Sequence, residues 1–245
     1  RRYPFVAPVS FVVRLYNVGM RLLALDTSTE YLSLALYLDG EIICRETHAG
    51  IRHSELILPM LEVLLVEAGV SLTSLDGIAF GQGPGTFTGI RIGCGVAQGL
   101  AFGADLPVVG IATLLALAES VEQDCVIACL DARMGEVYHA AYRREAPTEG
   151  GWREIHAPGL YAPQATPVVE GDDWVGVGSG FRVGEGALRQ HYAGQVKQVF
   201  DDRFPHAREI ARLASRQLSL GRGVPAWETA PLYIRDKVAL KTSER

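Results

Sequence analysis

Apolar and polar positions alternate with period two from Met20 onward: MRLLALDTS, YLSLALYLDG and EIICRETHAG read as three successive strands. Asp39 and Gly40 signal a tight hairpin between the second and third. The period then changes. HSELILPMLEVLLVEAG has helical length, with Ser54 as N-cap candidate, Gly69 as stop, and Pro59 expected to bend or delay the first turn. DGIAFG is a fourth strand, GQGPGTFTG opens a second helix running to about Gly103, LPVVG is a fifth strand and TLLALAESV a third helix.

The order then begins again. VIACLDARMGEVYHAAYRRE repeats the form of LLALDTSTEYLSLALY, which puts Asp26 and Asp131 in matching places, and WVGVGSG echoes GIAFGQG. The offsets, 105 residues between the aspartates and 97 between Gly77 and Trp174, predict two related lobes, 20–122 and 123–245 with a C-terminal tail. The bland alternative is that strand-turn-strand units look alike everywhere. EAPTEGGWREIHAPG is Pro/Gly-rich and reads as an irregular surface segment; HAREIARLASRQLSLG is the last helix, before the tail APLYIRDKVALK. Residues 1–19 open with two arginines and then an apolar run, but Pro4 and Pro8 interrupt it and Arg14 follows it without a small-x-small cleavage site. They are expected to be an extension, non-native or disordered, ahead of a start at Met20.

Two helices carry unusual surfaces. In 54–68, Glu55 and Glu62 lie on one narrow stripe while Leu56, Ile57, Met60, Leu61, Val63, Leu64 and Leu65 cover most of the circumference. A surface helix needs an apolar stripe of only about 100°. This one is expected to be buried on two sides, one its own core and the other either a partner or more of the same domain. In the glycine-rich helix Gly89, Gly93 and Ala97 are spaced by four, as are Gly95 and Gly99, giving a broad face of almost bare backbone. Each such glycine costs about 0.8 to 1 kcal/mol relative to alanine, so a close contact is expected, within the lobe or with another molecule. A phosphate loop of the Walker type would need Lys-Ser/Thr where Thr86-Phe87-Thr88-Gly89 stands, and Pro84 interrupts any dinucleotide motif. Anion binding by the amides at the helix start remains open.

Composition narrows the chemistry. With 48% hydrophobic and 21% charged residues the chain can bury a core, while a net charge of -5 and pI near 5.7 argue against gripping nucleic acid alone. Any RNA contact then needs a more basic partner. Cys44, Cys94, Cys125 and Cys129 form no CxxC pair and read as buried hydrophobes of a reducing compartment. No later apolar run reaches the roughly 20 residues of a membrane helix, so a cytoplasmic protein is expected. No two histidines have HxxxH or HExxH spacing, and no G-x-S-x-G elbow surrounds Ser28, Ser54 or Ser179, so neither a metal site nor a catalytic set is expected. Asp26 and Asp131 suit carboxylates aimed at a metal-bound phosphate, or equally caps of tight turns. With Thr27, Ser28, Gly83 and Gly85 they are the nucleotide-facing candidates.

MRLLALDTSTEYLSLALYLDG, HSELILPMLEVLL, IAFGQGPGTFTGIRIGCGVAQGLA, LPVVGIATL, LDARMGEVYHAAY and PLYIRDKVA together resemble the TsaB (YeaZ) family of bacterial tRNA threonylcarbamoyladenosine biosynthesis. The resemblance runs from Met20 to about Ala239 and is weak over 145–200. It implies an α/β, actin-like or sugar-kinase-like fold of two related lobes, each a mixed central sheet flanked by helices. It also implies a non-catalytic role as activating partner of the relative TsaD, which transfers the threonylcarbamoyl group to the adenosine 3′ of the anticodon. TsaD carries a metal-binding HxxxH where this chain has Thr113 and Leu117, neither of which replaces an imidazole ligand. The resemblance further implies contact with TsaD through the two unusual helices, TsaE as a second protein partner, tRNA reached through the complex, a homodimer when alone, and room for ATP or ADP at the interface but no intrinsic cofactor. Leu56, Ile57, Met60, Leu64, Thr86, Phe87, Gly89, Gly93 and Ala97 are the expected interface residues. Competing readings are an ATPase or kinase of the same fold, a nucleotide-binding module without a tRNA role, and a peptidase, for which no activated nucleophile is visible.

Overall fold

The period-two segments pair as their spacing requires. In the computed structural model, which describes residues 19–145 and 151–235, β1 (Arg21–Asp26), β2 (Tyr31–Leu38) and β3 (Glu41–His48) form an antiparallel meander. Asp39 and Gly40 take φ of 55° and 97°, the left-handed pair that a two-residue hairpin turn demands. Helix α1 (His53–Ala68) leads to β4 (Gly77–Gly83), α2 (Phe87–Ala104) and β5 (Val108–Ala112), and both later strands run parallel to β1 in the order β3-β2-β1-β4-β5.

The second lobe repeats this plan. After α3 (Thr113–Glu119), β6 (Cys125–Arg133), β7 (Glu136–Arg144) and β8 (Trp152–Tyr161) form the meander, and β9 (Trp174–Val177) and β10 (Val196–Phe200) add in parallel beside β6. Its order, β8-β7-β6-β9-β10, is the first sheet's order strand for strand. The segment expected to be irregular is therefore strand from Trp152 to its end, the first eight residues of the ten-residue β8, at the place of β3. Its prolines and glycines mislead because β8 is an edge strand, which tolerates a missing backbone donor.

The helical layers differ between lobes. Helices α1 and α2 lie side by side on one face of the first sheet, where Ile57, Leu61, Leu64, Cys94, Ala97 and Ala101 join Leu23, Leu25, Leu34 and Phe80 in one core. Helix α5 (Ala207–Ser219) covers the other face through Ala207, Ile210, Ala211 and Ala214, so the chain returns to the first lobe after completing the second. Helix α3 packs into the second lobe against Val126, Tyr138 and Val177. Where α1 has its counterpart, between β8 and β9, there is only a short 3-10 turn at Pro163–Ala165; the place of α2 holds a kinked 3-10 segment, Ser179–Gly186, and the short α4 (Ala187–His191). Ser54 is not the cap of α1, which starts one residue earlier behind Arg52 without a side-chain cap, and Pro59 sits inside the helix without ending it. Gly69 does terminate it, at φ 66°. Residues 1–18 and the end of the tail, 236–245, lie outside the described residues.

Candidate functional site

The glycine-rich loop folds against its own lobe. The Thr86 N–H donates to the Ser28 carbonyl (2.8 Å) and Thr27 Oγ1 to the Gly89 carbonyl (2.7 Å), so the turn after β1 is laid directly on the start of α2. A Cβ on Gly93 would stand 2.6 Å from Thr27 Oγ1 and 3.4 Å from Leu25 Cδ1, and one on Gly89 would collide with the Thr27 carbonyl. These glycines permit close packing inside the chain. Gly83, at φ 112°, gives its N–H to Thr113 Oγ1 (3.1 Å). That contact fixes Thr113 as a structural residue, while Leu117 is buried in the second lobe's core.

The expected interface list is corrected accordingly. Ile57, Leu64, Gly89, Gly93 and Ala97 are buried within the first lobe and face its sheet. Residues 93 and 95 are two positions apart, so they point in nearly opposite directions around a helix of 3.6 residues per turn. The bare face is the other one: Cβ atoms on Gly95, Gly99 or Gly103 would meet nothing within 4 Å. Phe102 stands beside them at 76% exposure. On the adjacent α1, Leu56 and Met60 are half-buried, while Leu58, Val63 and Val66 are exposed, Val66 at 74%. Thr86 and Phe87 are exposed at the start of α2, where the Arg91 guanidinium lies 3.3 Å over the Phe87 ring and Arg91 Nε donates to the Tyr233 hydroxyl (2.7 Å). Burial on two sides is thus not met inside the chain: one side of α1 is core, and much of the rest remains apolar and open. A helical wheel anchored on Ile90, Cys94, Ala97 and Ala101 as the inward residues would have found this face from sequence.

The two strand-end aspartates share one local geometry. Asp26 Oδ1 accepts the Ser28 N–H (3.1 Å) and Oγ (2.8 Å); Asp131 Oδ1 accepts the Arg133 N–H (2.7 Å). Both are caps of the following turn. Burial separates them. Asp26 is 1% exposed, its Oδ2 has no partner and abuts Gly81, and burial pushes its carboxyl up to about 7 although the Ser28 hydrogen bonds pull the other way. Asp131 lines the inter-lobe cleft and pairs with Arg133 at 3.2 Å. The cleft comprises recesses of about 440 Å³ and 300 Å³. Of the nucleotide-facing candidates, Ser28, Gly85 and Asp131 line it; Asp26, Thr27 and Gly83 are not among the lining residues, being buried behind the turn or against the tail. The cleft arginines are already paired: Arg133 with Asp131, Arg182 with Asp201 and Arg235 with Glu136.

The second lobe has its own buried titratable group. His139 on β7 is fully buried and its Nε2 is 2.8 Å from the Tyr192 hydroxyl, which donates to the Pro167 carbonyl (2.7 Å). The ring must therefore present Nε2–H, leaving Nδ1 without a partner, and burial holds its pKa down at about 3, aided by His156 and His191. It is a core residue of the lobe and is not among the cleft-lining residues, although its neighbour Tyr138 is. Among the described residues no group of His, Cys, Asp and Glu could hold a metal ion, and no helix is long and apolar enough to cross a membrane.

Comparison with known proteins agrees with this architecture. Residues 46–150 match the family model of TsaD, tRNA N6-adenosine threonylcarbamoyltransferase. The chain is 36% identical over 230 residues to the tRNA threonylcarbamoyladenosine biosynthesis protein TsaB of Escherichia coli, spanning 91% of this chain and 97% of that one. Against TsaB of Haemophilus influenzae it is 38% identical over 233 residues, with the same coverage. The solved structure of YeaZ from Pseudomonas aeruginosa superposes with a TM-score of 0.80 at 36% identity, covering 87% of this chain and 99% of that one.

Proposed function

This chain belongs to the TsaB (YeaZ) family, and from that premise we propose that it is the non-catalytic partner that activates TsaD in forming threonylcarbamoyladenosine in tRNA. The observation that carries the reading is the uncovered surface of the neighbouring helices α1 and α2: Val63 and Val66 are exposed on the first, and Gly95 and Gly99 stand open on the second. Glycines at that spacing let another helix approach to backbone distance, and the flanking apolar side chains supply area that a stable contact must bury. The TsaD family model covers both helices of this chain, so the partner is expected to bring a like pair and make a near-symmetric contact. A second copy would use the same face in the absence of TsaD. TsaE and tRNA then join the assembled complex in the cytoplasm, tRNA contacts being left to the more basic members.

The ATPase alternative is weakened by Asp26, whose carboxyl is sealed behind Ser28 and offers nothing to the cleft, and by the paired state of the cleft arginines. ATP or ADP would accordingly sit at the contact between the two proteins. The direct test is titration calorimetry with the cognate TsaD. Tight binding is expected, abolished by Gly95→Leu; unchanged affinity in that variant would defeat the reading.

A further inference from the structure

Between Thr229 and Arg235 the chain has neither helix nor strand, yet it is tied down along its length. On the first lobe Gln98 Nε2 donates to the Thr229 carbonyl (2.8 Å) and Gln82 Nε2 to the Ala230 carbonyl (3.0 Å). The Leu232 N–H donates back to the Gln82 carbonyl (2.7 Å), which lays the segment along the end of β4. Gly83 makes the approach possible, since a Cβ there would stand 2.8 Å from the Leu232 carbonyl oxygen. Tyr233 then meets Arg91 on α2. One residue later the segment is on the second lobe: Ile234 packs against the core containing Leu114, Val126 and Tyr138. Arg235, its side chain only 15% exposed, donates to the Ala132 carbonyl (3.0 Å), Met134 Sδ (3.3 Å) and the Glu136 carboxylate (2.8 Å).

Those last contacts bracket an unusual piece of backbone. Arg133 and Met134 stand at φ 65° and 58°, followed by Gly135 at 76°: three left-handed residues in a row, two of them with side chains. Met134 and Gly135 are the two-residue turn of the β6–β7 hairpin, as Asp39 and Gly40 are of β2–β3; Arg133, where the β6–β7 register slips, is the additional left-handed residue, and such a position persists only where its surroundings over-determine it. Asp131 holds Arg133 from inside through its N–H, and Arg235 grips the hairpin end from across the lobe boundary at Ala132, Met134 and Glu136. The same turn contributes Arg133, Met134 and Gly135 to the cleft wall.

We propose that Thr229–Arg235 is a strap that bolts the two lobes together and holds the cleft-lining turn in its left-handed form, with Arg235 as the positioning residue. The cleft is then a preset recess and does not close by rotation of one lobe on the other. Three acceptors of different kinds are served by one planar fork, which a lysine cannot reproduce.

Hydrogen–deuterium exchange on the full chain tests this. In Arg235→Met the amides of 132–136 should exchange at least tenfold faster, with Arg235→Lys intermediate and the β1–β2 amides unchanged. The decisive arm is Gln82→Ala/Gln98→Ala, which loosens the strap on the first lobe only; it should also speed exchange at 132–136 in the second lobe. Should Arg235→Met fail to fold, that double variant decides alone. Protection at 132–136 that survives the double variant would overturn the bolt, whatever Arg235→Met does.

Discussion

The turn after β1 and the turn after β6 are built alike, each with an aspartate accepting the N–H two residues on, and they end in different surroundings. Asp26 is sealed between Ser28 and Gly81, whereas Asp131 faces the cleft and an arginine. The layers above the two sheets diverge in the same way: α1 and α2 in the first lobe answer to a short turn and a kinked segment in the second. Strand order is therefore the repeated property of this chain, and helical covering is the property in which the two lobes differ. The first lobe holds the tight glycines inside and the open ones outside on one helix.

The largest expected effect separates those two sets of glycines. Gly89→Leu or Gly93→Leu must drive a side chain into Thr27, and overpacking of this kind should destabilise by about 3 kcal/mol or more, read as a lost urea transition. A folded Gly93→Leu protein with an unshifted midpoint would refute the inward assignment.

Next come two buried ionisable groups, Asp26 in the first lobe and His139 in the second, whose pH effects are opposite in sign. Asp26 keeps its proton in the folded state up to about 7, while the unfolded chain loses it near 3.8, so its contribution is full at low pH and is lost as pH rises from about 4 through 7. His139 is held near 3 against an ordinary 6.5; its contribution is full above 6.5 and is lost as pH falls toward 3. Between about pH 4 and 6.5 the two oppose each other. Asp26→Asn should leave a stability that rises with pH across this window, and His139→Gln one that falls, each by a few kcal/mol. Urea midpoints at four pH values give the slopes; parallel slopes in the two variants would contradict the account.

A smaller and more selective effect is expected outside. Gly95→Ala should raise helix stability by up to about 1 kcal/mol, because nothing opposes the new Cβ. Val66→Asp should leave the melting temperature nearly unchanged and weaken TsaD binding roughly thirtyfold, the effect of removing a central interface residue worth about 2 kcal/mol. The smallest is Arg133→Ala, which deletes a largely exposed ion pair with Asp131 and should cost under about 0.5 kcal/mol.

Most of the first lobe is legible in the sequence because its strands alternate cleanly and its turns use Asp-Gly and glycine stops. The repeat is legible through Asp131 and the WVGVGSG echo, and it already implied a third strand after YHAAYRRE; Pro158 and Gly159 concealed β8 because composition registers missing donors without knowing that the strand lies at an edge. Strand β10 leaves little trace in five residues, VKQVF, that are only partly buried. At the candidate site the two helices are readable, but the spacing of the glycines alone does not give their direction; only the inward stripe of Ile90, Cys94, Ala97 and Ala101 separates Gly93 from Gly95. The strap escapes sequence reasoning altogether: its contacts link residues such as Gln82 with Ala230 and Ala132 with Arg235, far apart along the chain and without periodicity.

The central claim is that this chain acts by presenting the outward face of α1 and α2 to TsaD. Its most direct test is reconstitution of threonylcarbamoyladenosine on unmodified tRNA with cognate TsaD, TsaE and the adenylate-forming enzyme, adding wild type, Gly95→Leu, or neither, and reading the nucleoside by mass spectrometry. The account predicts modification with the wild type alone, and a Gly95→Leu protein that is folded but inert. Equal modification in all three tubes would contradict it.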